Sequence, residues 1–393
     1  MSLLVFCRRA LLAVPLAALA APLHAQSSVT LYGWVDVSVE RIALGDMPPG
    51  AADSVQRLSS NISNFGVRGV EPISPQLEAW FQVERQFAAD TGAETPQFRN
   101  TGAGLRGPWG TLLAGHWDTP LAFQQVRADP WTGRVAQFSI IGSPGFGVSV
   151  TSQSASAPTG TPGAASYQRR QSDSLQYWTP SFAGFSGRAM VSFAEAKTAA
   201  SSPRTAGFSA EWLSGPWWIS VAGEQHDDLI GLNAIRPTTA ATSRDRAARA
   251  LVQRAFGPVT ASVIWERLDY RADLSANVSA GVRQWKRDAL AATLRVNLGA
   301  GQVRATWTRA DDGECTELTA GACGNTVDSG ATQLVLGYVY PLSRRTELYG
   351  LAMRVANEAA NRYVLGTSPF IPTTTQPLGA DLRVLALGLR AMF

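Results

Sequence analysis

The last ten residues, Val384–Phe393, read VLALGLRAMF and separate into two sets with a period of two. One set is entirely apolar and consists of Leu385, Leu387, Leu389, Ala391 and Phe393. The other set includes the charged residue Arg390. A period of two with one apolar face is the pattern of a β-strand that has lipid on one side and water on the other. The stretch therefore predicts a terminal strand of a membrane barrel.

The same alternation recurs in diluted form along the chain. It is clearest in Val29–Glu40, where Val29, Leu31, Val35, Val37 and Val39 share one face. Comparable segments are Leu77–Glu84, Val259–Glu266 and Leu290–Leu298. These patterns predict an all-β fold, a transmembrane antiparallel β-barrel with lipid outside and water inside. Such a barrel is a candidate channel.

The composition excludes several other classes of protein. Hydrophobic residues make up 45% of the chain, yet no apolar run after the N-terminus is long enough for a membrane helix, which needs roughly 18 residues. Charged residues are only 16%, below the roughly 25% of soluble domains. The net charge of +4 is too small to indicate a nucleic-acid partner. The 36 glycines and 12 tryptophans suit short strands, tight turns and interfacial aromatic residues.

The N-terminus has the features of a secretory signal peptide. Arg8 and Arg9 precede an apolar stretch from Ala10 to Ala21, and Leu23-His24-Ala25 forms a cleavage site. We predict cleavage after Ala25, so that residues 1–25 are removed and residues 26–393 form one barrel domain.

Short and long connections alternate between the predicted strands, as expected when one rim of a barrel carries tight turns and the other carries loops. The strand count is sixteen if residues from about 119 to 168 form a single connection. It is eighteen if Phe138–Ser152 folds as an extra hairpin. We favour sixteen strands, and either count leaves a lumen wide enough for water.

The motifs of common enzymes are weak or missing. Gly102–Gly107 matches a dinucleotide fingerprint, but a turn and another strand follow it where a helix is required. His116 and His226 are expected at strand ends rather than as catalytic bases. The predicted inward carboxylates are Asp36, Glu40, Glu78 and Glu84. They suit a polar barrel wall better than an acid/base pair. We therefore expect no catalytic residue, cofactor or metal.

Two cysteines remain after the signal peptide is removed. Cys315 and Cys323 lie close together in a Gly/Thr-rich stretch. In a secreted chain, an even count most simply gives one disulfide. Free thiols are the alternative, and a zinc site is poorly supported because no second cysteine pair accompanies them.

Arginines are the strongest functional signal from the residues alone. All basic residues except Lys197 and Lys286 are arginines or histidines. Strand alternation places Arg68, Arg295, Arg304, Arg354 and Arg390 on the polar face, where they would line the lumen. A charge in a narrow constriction acts strongly on a passing ion. The alternative for each arginine is a structural role, paired with a carboxylate of the wall.

Several motifs in order along the chain resemble those of the general porins of Gram-negative bacteria, specifically the β-proteobacterial type. The motifs are Ser28–Gly33 (SVTLYG), Phe65–Gly69 (FGVRG), Trp80–Glu84 (WFQVE), Ser174–Pro180 (SLQYWTP), Tyr338–Thr346 (YVYPLSRRT) and Gly388–Phe393 (GLRAMF). The resemblance spans essentially the whole mature chain.

This resemblance implies a sixteen-stranded outer-membrane barrel that assembles as a homotrimer. It implies that the barrel is surrounded by outer-membrane lipid and lipopolysaccharide and passes small hydrophilic solutes and ions. A long third external loop would fold into the pore and form a constriction, and here it would run from about Asp118 to Gln168. In such porins, wall arginines face acidic residues of the loop.

The family pattern also points to individual residues. Arg99 falls where the family has a wall arginine on the fourth strand, and Arg170, with Arg169 beside it, opens the strand after the loop. Asn64 replaces an arginine that the family often has on the second strand, so Arg68 or Arg57 would substitute for it.

The loop itself is poor in acidic residues. Asp118 and Asp129 are its only carboxylates, whereas Arg127 and Arg134 add positive charge. We therefore expect a mild preference for anions. The stretch from Ala155 to Ala165 suggests a mobile insertion that lowers conductance. One alternative function is a substrate-selective channel for an organic anion, and a less favoured one is an outer-membrane barrel hydrolase.

Overall fold

The computed structural model describes residues 28–45, 53–149, 162–236, 242–273, 281–324, 328–366 and 376–393. The predicted signal peptide, residues 1–25, lies outside the described residues. Within these ranges, no helix is long and apolar enough to cross a membrane.

The described residues form one antiparallel sheet whose nineteen segments make sixteen strands, because three strands are interrupted and resume. The strands are β1 Ser28–Leu44, β2 Ser54–Ser60 with Asn64–Ser74, β3 Leu77–Phe87, β4 Glu94–Phe98 with Thr101–Gly107, β5 Gly110–Asp118, β6 Arg170–Trp178, β7 Phe185–Ser192, β8 Arg204–Ser214, β9 Trp217–Asp227, β10 Thr242–Phe256, β11 Val259–Asp273, β12 Val282–Leu298, β13 Gly301–Ala310 with Glu314–Glu317, β14 Ala331–Pro341, β15 Thr346–Asn357 and β16 Leu382–Met392. The sixteen-strand prediction is confirmed. The eighteen-strand alternative is wrong for residues 138–149, which contain no strand.

The sheet closes on itself through the predicted terminal strand. Strand β16 pairs with β1 from Trp34↔Met392 to Leu44↔Leu382. The backbone of Phe393 exchanges hydrogen bonds with that of Gly33, at 3.1 and 3.3 Å. A side chain at Gly33 would collide with the carbonyl oxygen of Asn64, which explains the glycine. Closure leaves none of the sixteen described strands with an unpaired edge, as a hydrocarbon environment requires.

The outer face of the barrel is apolar where the alternation predicted it. Val29, Val39 and Leu387 are 68%, 62% and 72% exposed, whereas Asp36 and Glu40 point inward and are buried. Short turns join the strands at one rim and long connections join them at the other. We call these the turn rim and the loop rim.

The described parts of the connection between β5 and β6, residues 119–149 and 162–169, fold into the barrel, and we call them the inner loop. It begins with helix α1, Pro120–Ala128, whose N-terminus is capped by the Thr119 side chain. Its apolar side chains Trp131, Val135, Phe138 and Ile140 pack against inward residues of the wall. This packing fixes the loop inside the lumen.

The expectation of a mobile stretch from Ala155 to Ala165 is wrong for its last part. Pro162–Ala165 forms a 3₁₀-helix, and Ala164 and Ala165 are completely buried. The Tyr270 hydroxyl of β11 donates to the Ala165 carbonyl oxygen at 2.5 Å. Residues 155–161 lie outside the described residues.

Candidate functional site: the interior passage

Helix α1 turns one narrow face toward the open interior. Phe123, Val126 and Arg127 are at least partly exposed, and their spacing of three and four residues places them on one side of the helix. The opposite side is buried, and there Gln124 donates to Ser220 of β9 at 2.9 Å. Arg127 pairs with Glu211 of β8 at 2.6 Å. The lumen face of α1 therefore carries no carboxylate.

A buried ionic cluster holds the inner loop against β10–β12. Glu266 forms ion pairs with Arg249 and Arg287, and all three side chains are completely buried. Glu266 also accepts the backbone N–H of Gly142 in the loop at 2.9 Å. Arg249 donates to the Leu121 carbonyl oxygen at 3.0 Å, and Arg287 donates to that of Ile140 at 2.8 Å. Glu266 thus neutralises one of the two arginine charges, and carbonyl oxygens of the loop accept hydrogen bonds from both arginines.

Arginines of β12, β13 and β16 hold the next part of the inner loop. Arg295 donates to the carbonyl oxygen of Ala128 at 3.2 Å, and Arg304 donates to that of Pro130 at 2.8 Å. Ala128 ends α1, so Arg295 also complements the negative end of the helix dipole. Arg390 donates to Asp36 at 2.6 Å and to the Gly133 carbonyl oxygen at 3.0 Å.

The two predicted loop carboxylates have structural partners. Asp118 pairs with Arg170 at 3.1 Å and accepts from Asn100 at 2.9 Å. Asp129 is buried and accepts the backbone N–H groups of Trp131 and Phe138 at 2.9 and 2.8 Å. Burial raises the pKa of Asp129 from its ordinary value of 3.8 to about 6. The structure therefore places neither carboxylate as an unpaired acid on the lumen.

The predicted arginines fall into two places. Arg99, Arg170 and Arg68 lie along one stretch of wall. There Arg99 pairs with Glu84, Arg170 donates to Asn100 at 2.8 Å, and the Arg68 guanidinium lies 5.2 Å from the Tyr32 ring centroid. Arg169 is separate from them and completely enclosed behind the inner loop, where burial lowers its pKa and Glu224 opposes that shift.

One arginine prediction is wrong. Arg354 does not line the lumen, because its side chain is 55% exposed on the outer wall and pairs with Asp381 at 2.6 Å. The inward positions of β15 belong to Leu351, Met353 and Val355, which pack in the core with the inner loop. Where a loop fills the interior, the inner face of the wall is apolar. The rule that the polar face of a strand lines the lumen therefore fails there.

Arg188 of β7 is a candidate that the sequence analysis missed. Its guanidinium carbon lies 3.4 Å from the ring centroid of Phe123 and 4.5 Å from that of Trp178. The sequence did contain a signal for Arg188, because Ser186, Arg188 and Met190 alternate with residues of the outer face.

His116 and His226, as expected, lie near the loop-rim ends of β5 and β9.

The interior has more arginines than carboxylates to match them. Seven carboxylates around the passage each have an arginine partner, in the pairs Asp36–Arg390, Glu40–Arg57, Glu78–Arg106, Glu84–Arg99, Asp118–Arg170, Glu211–Arg127 and Glu347–Arg134. In the described strands, four inward arginines form no ion pair with a carboxylate, namely Arg68, Arg188, Arg295 and Arg304. All four are at least partly accessible. The passage therefore carries an excess of positive charge.

The predicted disulfide is present at the loop rim. Cys315 of β13 and Cys323 are bonded, with a Cα–Cα distance of 5.9 Å. Glu317 lies within the closed loop and accepts the backbone N–H groups of Gly321 and Cys323 at 3.0 and 2.9 Å. No group of three or more His, Cys, Asp or Glu side chains suited to a metal occurs among the described residues.

Comparison with known proteins connects this architecture to one family. The sequence profile of the Gram-negative porins matches residues 10–360. Outer membrane porin protein 32 of Delftia acidovorans is 26% identical over 362 residues, covering 90% of this chain and 91% of the relative. Major outer membrane protein P.IB of Neisseria gonorrhoeae is 30% identical over 190 residues, which is 46% of this chain and 47% of that protein.

Solved structures show the same fold. The anion-selective porin from Comamonas acidovorans superimposes with a TM-score of 0.72 at 21% identity, covering 94% of this chain and 100% of that one. The trimer form of OmpT from Vibrio cholerae superimposes with a TM-score of 0.62 at 15% identity, covering 93% of this chain and 99% of that one.

Proposed function

Because the chain belongs to the Gram-negative porin family, we propose that it forms a water-filled channel for passive diffusion of small hydrophilic solutes and ions, with a mild preference for anions. It is an outer-membrane β-barrel protein, and its porin relatives are named as channels rather than enzymes. The proposal involves no cofactor and no catalytic cycle.

The observation that supports anion preference is the set of four unmatched inward arginines. The lumen face of α1 adds no acid, and its Arg127 is paired with Glu211. A single charge 4 Å from an ion contributes about 1 kcal/mol in water, and more where the passage is narrow and partly desolvated. Arginines remain charged at all physiological pH values. The excess therefore lowers the energy of a passing anion and raises that of a cation.

Within this proposal, the six residues predicted from the family pattern have different roles. Arg68 and Arg99 would act on the permeating ion, because both side chains belong to the inner wall. Arg170 and Asp118 would fix the point where the inner loop leaves β5 and returns to β6. Arg169 and Asp129 would support the loop from positions that are buried.

The direct test is the reversal potential of single channels in a KCl gradient across a planar bilayer. We expect anion preference in the wild type and a fall of about threefold or more in the chloride-to-potassium permeability ratio for Arg68→Gln/Arg188→Gln. The matched control is Glu78→Gln/Arg106→Gln, which removes a whole ion pair of 2.7 Å and leaves the net charge unchanged. Cation preference in the wild type would refute the proposal.

A second candidate function is a channel selective for an aromatic anion. It is favoured by the aromatic wall around Arg188, where Trp80, Trp117 and Trp178 lie with ring centroids 5.5 to 6.1 Å apart. Planar rings stack on such surfaces while a guanidinium pairs with a carboxylate. Saturable block of the chloride current by benzoate would support this function, whereas a flux linear in benzoate concentration supports simple diffusion.

We also propose the assembly and processing that the family pattern implies. Residues 1–25 would be removed by cleavage after Ala25, leaving residues 26–393 as the barrel domain. Three copies would assemble in the outer membrane, in contact with lipid and lipopolysaccharide. The loop rim would face the cell exterior. Supporting this orientation, the outer face of β11 and β12 changes from apolar residues to Arg267, Asp269 and Lys286 toward the loop rim.

A further inference from the structure

The Cys315–Cys323 disulfide lies within the apolar packing that holds the loop-rim end of the inner loop. Cys323 is buried in a cluster that also contains Val148 and Tyr167 of the inner loop and Leu232 of the β9–β10 connection. Cys315 is half-buried and packs against the same cluster. The disulfide therefore joins the barrel wall to a place where two other segments of the chain meet.

A series of contacts leads from each cysteine to Phe146 of the inner loop. On one side, the Cys323 carbonyl oxygen accepts a hydrogen bond from Arg236 Nε at 2.8 Å, and the Arg236 guanidinium carbon lies 4.9 Å from the Phe146 ring centroid. On the other side, Cys315 lies opposite Trp285 in the pairing of β12 with β13. The rings of Trp285 and Phe146 meet edge to face, with centroids 5.6 Å apart. The disulfide completes this closed cycle of contacts.

Phe146 is a residue of the inner loop that depends on such support. Its φ is 53°, in the left-handed region that is unfavourable for a bulky side chain. Its backbone N–H donates to Asn361 at 2.6 Å, and the next N–H, of Gly147, donates to the Arg362 carbonyl oxygen at 2.9 Å. A strained backbone of this kind persists only where the contacts around it fix it. Loss of one side of the cycle is therefore expected to destabilise this part of the loop.

The disulfide is accessible to small reagents from the loop rim. The residues that it encloses, from Thr316 to Gly321, are exposed, and Cys315 itself is partly exposed. The sequence contains one other cysteine, Cys7, which lies in the predicted signal peptide. Exchange of the disulfide in the mature chain therefore requires an external thiol.

We propose that Cys315–Cys323 is a redox-modification site through which an external dithiol loosens the loop-rim end of the inner loop. One thiolate of the reagent attacks a sulfur of the disulfide and displaces the other cysteine, and its second thiol then displaces the first. The dithiol is oxidised to a cyclic disulfide, and its two electrons and two protons convert Cys315 and Cys323 to thiols. The Cys323 carbonyl oxygen then no longer holds Arg236 in place against Phe146.

This inference concerns regulation of the channel. It rests on the proposed function, which places the loop rim at the cell exterior.

Hydrogen exchange measured by mass spectrometry tests the proposal on the purified full-length mature protein, with and without dithiothreitol. We expect the amides of residues 142–148 to exchange about tenfold faster or more after reduction, the effect of losing one hydrogen bond of a charged group. The amides of β14–β16 should not change. Cys315→Ser/Cys323→Ser should behave like the reduced wild type, and dithiothreitol should not change it further, which controls for other effects of the reagent.

A second pair of variants tests the path from the disulfide to the inner loop. Arg236→Gln keeps the disulfide and removes the guanidinium between Cys323 and Phe146. It should show fast exchange of residues 142–148 before reduction and a smaller further effect of dithiothreitol, because coupled changes are not additive. The matched control is Arg204→Gln, which removes an exposed arginine of β8 that pairs with Asp227 at 3.0 Å. This control should behave like the wild type.

Two results would overturn the proposal. One is that reduction changes only the thermal transition, or only the exchange of residues 315–324, because the disulfide would then stabilise its own segment alone. The other is that Arg236→Gln keeps wild-type exchange and the full response to dithiothreitol. Circular dichroism confirms that each variant is folded, and reduction of the wild type gives the answer even where the double serine variant does not fold.

Bilayer recording of the same proteins separates this inference from the proposed function. The oxidised wild type should conduct steadily, and its current should become noisier after dithiothreitol is added on the loop-rim side. An unchanged current would refute redox regulation and leave the proposed function intact. If the wild type formed no channel, the proposed function would fail while hydrogen exchange still reported on the disulfide.

Discussion

Asp129 is the residue at which the inner loop responds to pH. Its carboxylate is buried directly after the C-terminus of α1 and accepts two backbone N–H groups, and burial raises its pKa to about 6. Between its ordinary pKa of 3.8 and about 6, the folded loop holds a proton that the unfolded chain releases. The docked loop therefore becomes more stable as the pH falls through about 6, and its ionised form is the less stable one.

We expect the anion preference of the channel to increase as the pH falls from 7 to 5, with a midpoint near 6. Protonation removes a negative charge close to Arg295 and Arg134, whose positive charges are then less compensated. The measurement is the reversal potential as a function of pH. Asp129→Asn keeps one accepting oxygen and cannot ionise, so its selectivity should be flat over this range. An equal step in this variant would assign the titration to another group.

The alternation of the sequence was a good guide to single residues wherever the wall faces water. It placed Arg295, Arg304 and Arg390 inward, and each of them donates to an inner-loop carbonyl oxygen. It failed for Arg354, because the wall behind the inner loop is apolar on its inner face. The partners of Asp129 were not predictable, because they are backbone groups of a loop that has no period.

At the scale of elements, the inner loop depends on the ionic cluster around Glu266. Three buried charges there bind one another and loop backbone at Leu121, Gly142 and Ile140. Breaking a buried pair by removing one partner leaves an uncompensated charge and costs about 3–5 kcal/mol. The cost falls mainly on the attachment of the loop, because the strands keep their own hydrogen bonds.

Glu266→Gln should therefore loosen the inner loop without opening the barrel. We expect noisier and larger single-channel currents and a lower thermal transition, measured by bilayer recording and circular dichroism. Asp288→Asn is the matched control, because its pair with Arg267 is exposed on the outer wall and is worth less than about 1 kcal/mol. Quiet, wild-type currents in Glu266→Gln would show that the cluster does not hold the loop.

Strand interruptions are elements that the sequence did not predict. Strand β2 breaks at residues 61–63, where Ile62 adopts a φ of 51° and Asn61 turns inward. Asn61 then donates to Asp36 at 3.1 Å and to Ser38 at 2.7 Å. A break of this kind is stabilised by partners on other strands, which are distant in the chain. Local alternation contains no information about them.

At the scale of the whole molecule, the sequence was sufficient for the strand count and the closure of the sheet. Both follow from alternation and from the regular change between short and long connections. The interior position of the inner loop came from the family pattern instead. Residues 128–145 are almost entirely buried, so in composition the loop resembles the core of a soluble domain. The segment obstructs the interior passage only because the barrel surrounds it.

The excess positive charge of the passage is a property of the whole barrel, and its range depends on salt. The unmatched arginines are partly exposed to water, so dissolved ions screen them. The screening length is about 10 Å at 0.1 M salt and about 3 Å at 1 M. We expect the chloride-to-potassium permeability ratio to fall toward one over this range, measured by reversal potentials at a constant concentration ratio. A ratio that stayed constant up to 1 M would locate the selectivity in a desolvated binding site, as in the aromatic-anion alternative, rather than in the open wall.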